Sequence, residues 1–147
     1  MNQIKYFYVG IKGLILRKDG KMLLLKPKRD QHKLFIGDWD IPGGRILSQS
    51  EGEHRLRNKI KEETGLIDIS SIKPFGSGII SDVIFQDGDA SVGLILMVYL
   101  CKLGLKDVKV KIDDSHSEFK WFTPKEAAAN LYQFPDDFRE KLAEFKS

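Results

Sequence analysis

The sequence predicts an α+β chain that folds as an α/β/α sandwich on a mixed β-sheet. Two apolar stretches, residues 9–28 and 77–103, are each interrupted by an Asp-Gly pair, which is typical of the tight turn of a β-hairpin. Charged segments with apolar residues one helical turn apart predict one helix between the hairpins and two more near the end of the chain. This order of elements favours helices on both faces of one sheet.

The predicted strands each have a local signal. Asp19-Gly20 joins the two strands of the first hairpin, and Asp87-Gly88 joins those of the second. The strand after Asp87-Gly88 is long and apolar, so we expect it in the centre of the sheet. Residues 118–123 indicate a further short strand, which ends at Pro124.

The first predicted helix, residues 51–64, is rich in Glu, Arg and Lys. Leu56 and Ile60 lie one turn apart in it, which gives the helix an apolar stripe. Gly65 follows as the expected C′ residue, where a left-handed backbone conformation commonly ends a helix.

The other two helices are predicted from their first turns. Thr123 is suited to the N-cap of the second, with Pro124 at N1 and Glu126 at N3. The third begins after Phe134-Pro135 with acidic residues in its first turn, as the helix dipole favours. Its expected buried face consists of Phe138, Leu142 and Phe145.

Composition bounds the class of protein. A chain of 147 residues is the size of one domain, which is expected to span residues 1–147. The net charge of +3 is too small to indicate a nucleic-acid binding protein, which usually carries a concentrated basic face. Cys101 lies in an apolar run and is expected to be a buried thiol. No signal peptide or apolar run of membrane-spanning length is present, so we expect a cytoplasmic protein without a membrane span. A homodimer is compatible with the sequence.

The first helix ends in two adjacent carboxylates, Glu62 and Glu63, where the helix dipole disfavours negative charge. Lys59 shares their face of the helix, so one interpretation is a solvated helix end that the lysine neutralises. The other is a cation site, because Mg²⁺ is commonly held by one or two carboxylates together with substrate phosphates. The preceding turn at Gly43-Gly44 brings backbone close to this helix, where a phosphate can approach it.

The segment from Gly44 to Leu66 resembles the Nudix box, G-x5-E-x7-R-E-U-x-E-E-x-G-U, in which U is aliphatic. The 23-residue spacing is kept, and the matching positions are Gly44, Ile60, Glu62, Glu63, Gly65 and Leu66. The stretch WDIPGG, residues 39–44, and the stretch SEFKWFTPKEA, residues 117–127, also resemble segments of that family. The resemblance implies a Nudix-like sandwich over essentially the whole chain.

The resemblance also implies an activity. Nudix hydrolases cleave a diphosphate linkage, here expected in a nucleoside diphosphate-linked small molecule, with Mg²⁺ or Mn²⁺ as cofactor. The resemblance implies that Glu62 and Glu63 are both metal ligands and catalytic residues. Glu118, which precedes Trp121, is the best candidate for a further catalytic acid. Weaker candidates are Glu51, Glu53, Asp87 and Asp89. Gly43, Gly44, Arg29 and Lys59 are the expected substrate contacts, although the basic run 26–33, which contains Arg29, is more typical of an exposed loop.

Three positions depart from the family pattern. Ser50 and Asn58 replace a Glu–Arg ion pair, and two neutral groups that hydrogen-bond to each other are compatible with a stable fold. Lys59 replaces a metal-binding glutamate, and an ammonium group repels a cation rather than ligating it.

Three hypotheses therefore stay open. The chain is a hydrolase with a reduced metal site, a nucleotide-binding module in which Lys59 contacts the phosphates, or an interaction domain that binds no nucleotide. Phe35, Trp39 and Phe75 are candidates for stacking a base, with the core as the alternative for each. His116 is expected in an exposed loop.

Overall fold

In the computed structural model, the described part of the chain comprises residues 6–28, 38–46, 52–80, 93–105 and 108–146. It contains one mixed sheet with helices on both faces, so the predicted α/β/α arrangement is confirmed. The strands are β1 (Phe7–Leu16), β2 (Met22–Pro27), β3 (Gly43–Arg45), β4 (Ile69–Ile80), β5 (Gly93–Leu103) and β6 (His116–Phe122). The helices are α1 (Gly52–Thr64), α2 (Pro124–Asn130) and α3 (Asp136–Ala143).

The strand order is β4-β5-β1-β2-β6, with the short strand β3 paired to β1. The β1–β5 pair is parallel and the other pairs are antiparallel, which makes the sheet mixed as predicted. Strand β5 lies between β4 and β1, so its predicted central place is confirmed. The expected turn at Asp87-Gly88 lies outside the described residues, whereas Gly20 adopts φ +87° in the first hairpin turn.

The sheet divides the apolar core in two, because successive side chains of a strand point to opposite faces. One face of β1 and β2 packs Ile11, Ile15 and Leu23 against Leu56 and Ile60 of α1. The other face packs against α2 and α3, with the side chains Leu14, Leu24, Phe75, Ala127, Leu131, Phe138 and Leu142. The predicted apolar residues Leu56 and Ile60 of α1 and Phe138 and Leu142 of α3 are thus buried against the sheet. Phe145, expected in the same stripe, lies beyond the end of α3 and is partly buried.

The helix ends also agree with the predictions. Gly65 follows α1 with φ +74°, and its N–H donates to the Lys61 carbonyl. Thr123 caps α2 in a complete capping box with Glu126. Cys101 is fully buried, and burial raises the pKa of its thiol to about 12, so it is an inert apolar group at neutral pH.

None of the helices in the described residues has the length and apolar character needed to cross a bilayer. The expected cytoplasmic location, the extent of the domain over residues 1–147 and a homodimer stay predictions.

Candidate active site

The two adjacent glutamates at the end of α1 occupy opposite environments. Glu63 is buried, with 8% of the residue exposed, because it points from the helix toward the sheet. The Glu62 side chain is 63% exposed and points to solvent. The last turn of α1 therefore presents one buried carboxylate and one exposed carboxylate, side by side.

Glu63 is held by the turn that precedes the helix. Its Oε2 accepts a hydrogen bond of 2.9 Å from the backbone N–H of Gly43. Gly43 begins β3, which pairs with β1 so that Gly43 lies opposite Lys12. A side chain cannot replace the hydrogen here, because a Cβ on Gly43 would lie 2.0 Å from the Ile11 carbonyl oxygen and φ is +151°. The glycine is required for the turn to reach the carboxylate.

Lys59 lies over the same turn and pairs with the other glutamate. Its Nζ is 3.2 Å from Glu62 Oε2, and its side chain is 24% exposed. Its aliphatic part covers Gly44, so closely that a Cβ on Gly44 would lie 3.0 Å from Lys59 Cε. The predicted cluster of Gly43, Gly44, Lys59, Glu62 and Glu63 is thus assembled at one place in the structure.

His116 joins this cluster, and its expected location in an exposed loop was wrong. The residue begins β6 and is buried, with 6% exposed. Its Nε2 lies 3.9 Å from Glu63 Oε1, and its Nδ1 lies 2.6 Å from Asp113 Oδ1. Sequence spacing missed this contact because a β-bulge sets which face of the sheet the ring occupies.

The bulge separates His116 from Glu118. In the β2–β6 pair, Leu25 lies opposite Phe119 and Lys26 opposite Glu118, and the register then shifts so that Pro27 lies opposite His116. Because side chains alternate along a strand, Glu118 and Lys26 lie on the face of the sheet opposite to Leu25. There Lys26 Nζ is 3.9 Å from Glu118 Oε2. The shift turns His116 to the α1 face, where Glu63 lies. The catalytic role of the half-exposed Glu118 stays a prediction.

The electrostatics of the cluster follow from burial. Desolvation raises the pKa of Glu63, and the positive charge of Lys12, the Gly43 N–H and the nearby His116 and Lys59 offset part of that effect. Burial alone would also raise the pKa of Asp113, but hydrogen bonds from His116 and Ser115 outweigh it and lower the pKa. Asp113 is therefore an ionised acceptor, while Glu63 is a carboxylate that binds a proton more readily than usual.

A second polar contact fixes the turn from the other face of the sheet. Asp40 is buried, and its Oδ2 accepts from Lys12 Nζ at 3.0 Å. Its Oδ1 accepts from Gln133 Nε2 at 3.1 Å and from the Ile41 N–H at 2.8 Å. This contact places the Lys12 charge near Glu63, and nothing in the spacing of these residues along the chain predicts it.

The remaining candidates fall in three groups. Arg29, Phe35, Ser50, Glu51, Asp87 and Asp89 lie outside the described residues. Asn58 contacts His54 at 3.2 Å, and Glu53 forms an exposed pair with Arg57. Trp39 packs edge-on against Phe122, and Phe75 is buried against Phe138 and Phe145, which supports the core alternative for both.

The donor set of the cluster defines the kind of cation it fits. Among the described residues, no three Asp, Glu, His or Cys side chains are grouped to hold a metal ion. The carboxylates of Glu62 and Glu63 fit a hard divalent cation that takes the rest of its oxygen ligands from substrate phosphates and water. The described residues alone do not form a site closed by protein ligands.

Comparison with known proteins agrees with this architecture. The model of the NUDIX domain matches residues 7–143. The chain is 28% identical over 132 residues to a nucleoside triphosphatase NudI from Salmonella paratyphi B, covering 88% of this chain and 90% of that protein. It is also 28% identical over 115 residues to the NudI protein of Escherichia coli O139:H28, with 76% and 79% covered.

Solved structures show the same fold. The dihydroneopterin triphosphate pyrophosphohydrolase of E. coli superposes with a TM-score of 0.70 at 16% identity, over 96% of this chain and 97% of that one. A MutT protein from Methanosarcina mazei Go1 superposes with a TM-score of 0.62 at 21% identity, over 96% and 94%. Since the family model matches residues 7–143, and the turn and helix that resemble the Nudix box form the cluster at the end of α1, the chain belongs to the Nudix domain family.

Proposed function

We propose that the chain hydrolyses a diphosphate linkage in a nucleoside di- or triphosphate derivative, using Mg²⁺ or Mn²⁺, with activity reduced by Lys59. The observation that carries the proposal is the pair of carboxylates at the end of α1, one of which is fixed by the Gly43 N–H. The similarity to proteins named nucleoside triphosphatase supports a nucleotide substrate.

Glu62 and Glu63 are the residues that would hold the cation. When bound, a divalent cation lowers the pKa of water and neutralises charge on the bridging phosphates. Lys59 lies 3.2 Å from Glu62, so substrate phosphate has to draw the ammonium away from that carboxylate before Glu62 can serve as a ligand. This competition is the physical reason to expect reduced activity.

The reaction needs one proton acceptor in addition to the cation ligands. Attack of water on phosphorus breaks one P–O bond of the diphosphate and gives a nucleoside monophosphate, or a comparable phosphate ester, and the remaining phosphorylated group. The water proton passes to a carboxylate that does not hold the cation. Glu118 is the candidate for this acceptor, because its half-exposed carboxylate is available to the substrate.

One specific observation favours a second function, that of a nucleotide-binding module without hydrolysis. Lys59 lies directly over Gly44 and beside Glu62, where it is placed to contact a phosphate as a point charge. In that case the ammonium takes over the charge neutralisation that the cation supplies in the hydrolase.

The first experiment separates the two functions. Nucleoside di- and triphosphates, ADP-ribose, dinucleotide polyphosphates and nucleotide sugars are screened for turnover with Mg²⁺ and Mn²⁺. A hydrolase shows cation-dependent turnover that falls at least about 100-fold in Glu63→Gln, since the loss of a residue that only supports a metal ligand already costs about 10–100-fold. Nucleotide-induced thermal stabilisation without turnover, reduced in Lys59→Ala, supports the binding module instead. If no substrate gives either turnover or thermal stabilisation, both proposed functions are contradicted.

The second experiment tests the attenuation. Lys59→Glu restores a carboxylate at this position and is expected to raise kcat, while Lys59→Gln removes the charge without adding a ligand and is expected to raise it less. Lys61→Glu is the matched control, because this exposed lysine changes the net charge of the same helix without contacting the cluster. If Lys59→Glu and Lys61→Glu leave turnover equally unchanged, Lys59 does not attenuate the site.

A further inference from the structure

His116 is buried beside the carboxylate that the proposed function depends on, yet no part of that function uses it. The ring occupies the space next to Glu63 Oε1, at 3.9 Å, while the Gly43 N–H binds Oε2 on the other side. The carboxylate of Glu63 is therefore enclosed between a backbone donor and an imidazole ring.

The orientation of the ring is itself fixed. Asp113 Oδ1 lies 2.6 Å from Nδ1. Because the pKa of Asp113 is lowered, its carboxylate is ionised and accepts only, so Nδ1 carries the proton and donates to it. A second donor, the Ser115 hydroxyl at 2.9 Å, holds the other oxygen of Asp113.

The backbone supports the same arrangement. The His116 N–H donates to the Asp113 carbonyl at 3.3 Å, which ties the start of β6 to the turn before it. The register shift at Lys26 and Pro27 then directs the ring to the α1 face. A bulge beside a functional group commonly serves to redirect a side chain.

We propose that Asp113 and His116 are positioning residues, which fix the direction of the Glu63 carboxylate so that it meets the Gly43 N–H. This inference rests on the proposed function only in the choice of Glu63 as the important carboxylate. Loss of the ring leaves an empty volume next to Oε1, into which the carboxylate turns, and the Gly43 N–H then loses its acceptor.

The test is therefore a measurement on Gly43 in the substrate-free protein. In ¹H–¹⁵N spectra of His116→Ala and Asp113→Ala, we expect the Gly43 amide proton to move upfield. Its hydrogen exchange should become roughly tenfold faster, the factor that corresponds to the net contribution of one hydrogen bond. The Gly65 amide, which donates to Lys61 at the end of the same helix, serves as the internal reference and is expected to stay unchanged.

Two further variants distinguish positioning from a general effect on folding. Asp113→Asn keeps an oxygen acceptor for Nδ1 and should preserve the Gly43 resonance, whereas Asp113→Ala should not. Ser115→Ala removes only the second bond to Asp113 and is the matched control. An unchanged Gly43 amide in both alanine variants overturns the inference, and so does an equal change of Gly43 and Gly65, which indicates general loosening.

Turnover gives a second readout if the wild type is active. Because Glu63 is misdirected rather than removed, His116→Ala is expected to lower kcat at least about tenfold with a smaller change in KM, and Asp113→Asn to restore most of the rate relative to Asp113→Ala. If the wild type hydrolyses no substrate, the proposed function fails, while the Gly43 measurement still decides the role of His116.

Discussion

Two glutamates at helix ends, Glu126 in α2 and Glu63 in α1, have pKa values shifted in opposite directions by their surroundings. Glu126 lies in the first turn of α2, fully exposed, and its Oε1 accepts from the Thr123 N–H at 2.9 Å. The hydrogen bond from the Thr123 backbone lowers its pKa. Glu63 lies in the last turn of α1, where the helix dipole opposes its charge, and burial raises its pKa.

The partners of these glutamates lie at different distances along the chain. Glu126 and its partner are three residues apart, and the capping box is a purely local device. Glu63 receives its N–H from a residue 20 positions earlier and contacts a histidine far later in the chain. The glutamate that caps a helix thus depends on hydrogen bonds to a residue three positions away, whereas the glutamate in the candidate active site depends on the packing of three separate segments.

The strongest way to break the Glu63 arrangement is through its backbone donor. Gly43→Ala places a Cβ against the Ile11 carbonyl and should cost about 3 kcal/mol of folding stability, as an overpacked and strained position does. Urea unfolding with an unchanged m-value measures the loss. Gly52→Ala is the control, since a Cβ there meets nothing within 4 Å. Equal stability of the two variants contradicts the close approach of β3 to β1.

The pH dependence of stability sharpens the comparison. The pKa of Glu63 is raised on folding, so the folded state binds the extra proton, and the contribution of Glu63 to stability declines as pH rises from about 4.5, the ordinary value, through the raised pKa. Glu63→Gln cannot titrate, and its stability relative to wild type should improve over that pH window. The free energy of unfolding measured against pH checks this.

Glu126 gives the opposite sign. Its pKa is lowered on folding, so its stabilising contribution is present above the ordinary value and is lost as pH falls through the lowered pKa. Glu126→Gln should therefore lose stability relative to wild type as pH rises from the lowered pKa to about 4.5, and should keep that deficit at neutral pH. Parallel pH profiles for Glu63→Gln and Glu126→Gln would show that the two environments do not differ as the structure indicates.

The helix cap itself gives a smaller effect. Thr123→Ala removes the oxygen that accepts from the Glu126 N–H and should cost about 1 kcal/mol, while Thr123→Ser keeps it and should cost less. Thermal unfolding of both variants measures the difference. A cost for Thr123→Ser equal to that for Thr123→Ala would show that the hydroxyl does not cap the helix.

The smallest expected effect on folding stability is that of the exposed ion pair between Glu53 and Arg57, which lie one turn apart in α1. Glu53→Gln should cost about 0.3–0.5 kcal/mol at low salt and less at high salt, because exposed pairs of this spacing are weak and screened. Denaturant unfolding at two ionic strengths measures it. An effect as large as that of the Thr123 cap would mean that surface charge stabilises α1 as strongly as local capping stabilises α2.

Much of the fold was predictable because its signals are local. The Asp19-Gly20 turn, the Gly65 helix end and the Thr123 cap each depend on a few adjacent residues, and each was confirmed. The neighbourhood of Glu63 was only half predictable. The helix periodicity placed Lys59 beside Glu62, but it gave no sign that Glu63 turns inward while Glu62 stays exposed.

The sequence alone determined the helices, the long strands, their order and the residues of the Nudix box, because capping, turn and periodicity rules act within a few positions. It gave no signal for the short strand β3. The tertiary structure decided which side chains meet. A bulge in the β2–β6 pair turned His116 inward and Glu118 to the other face, and the pairing of β3 with β1 brought the Gly43 N–H to Glu63. Strand register and burial are properties of the packed sheet, and a single residue of shift exchanges its faces.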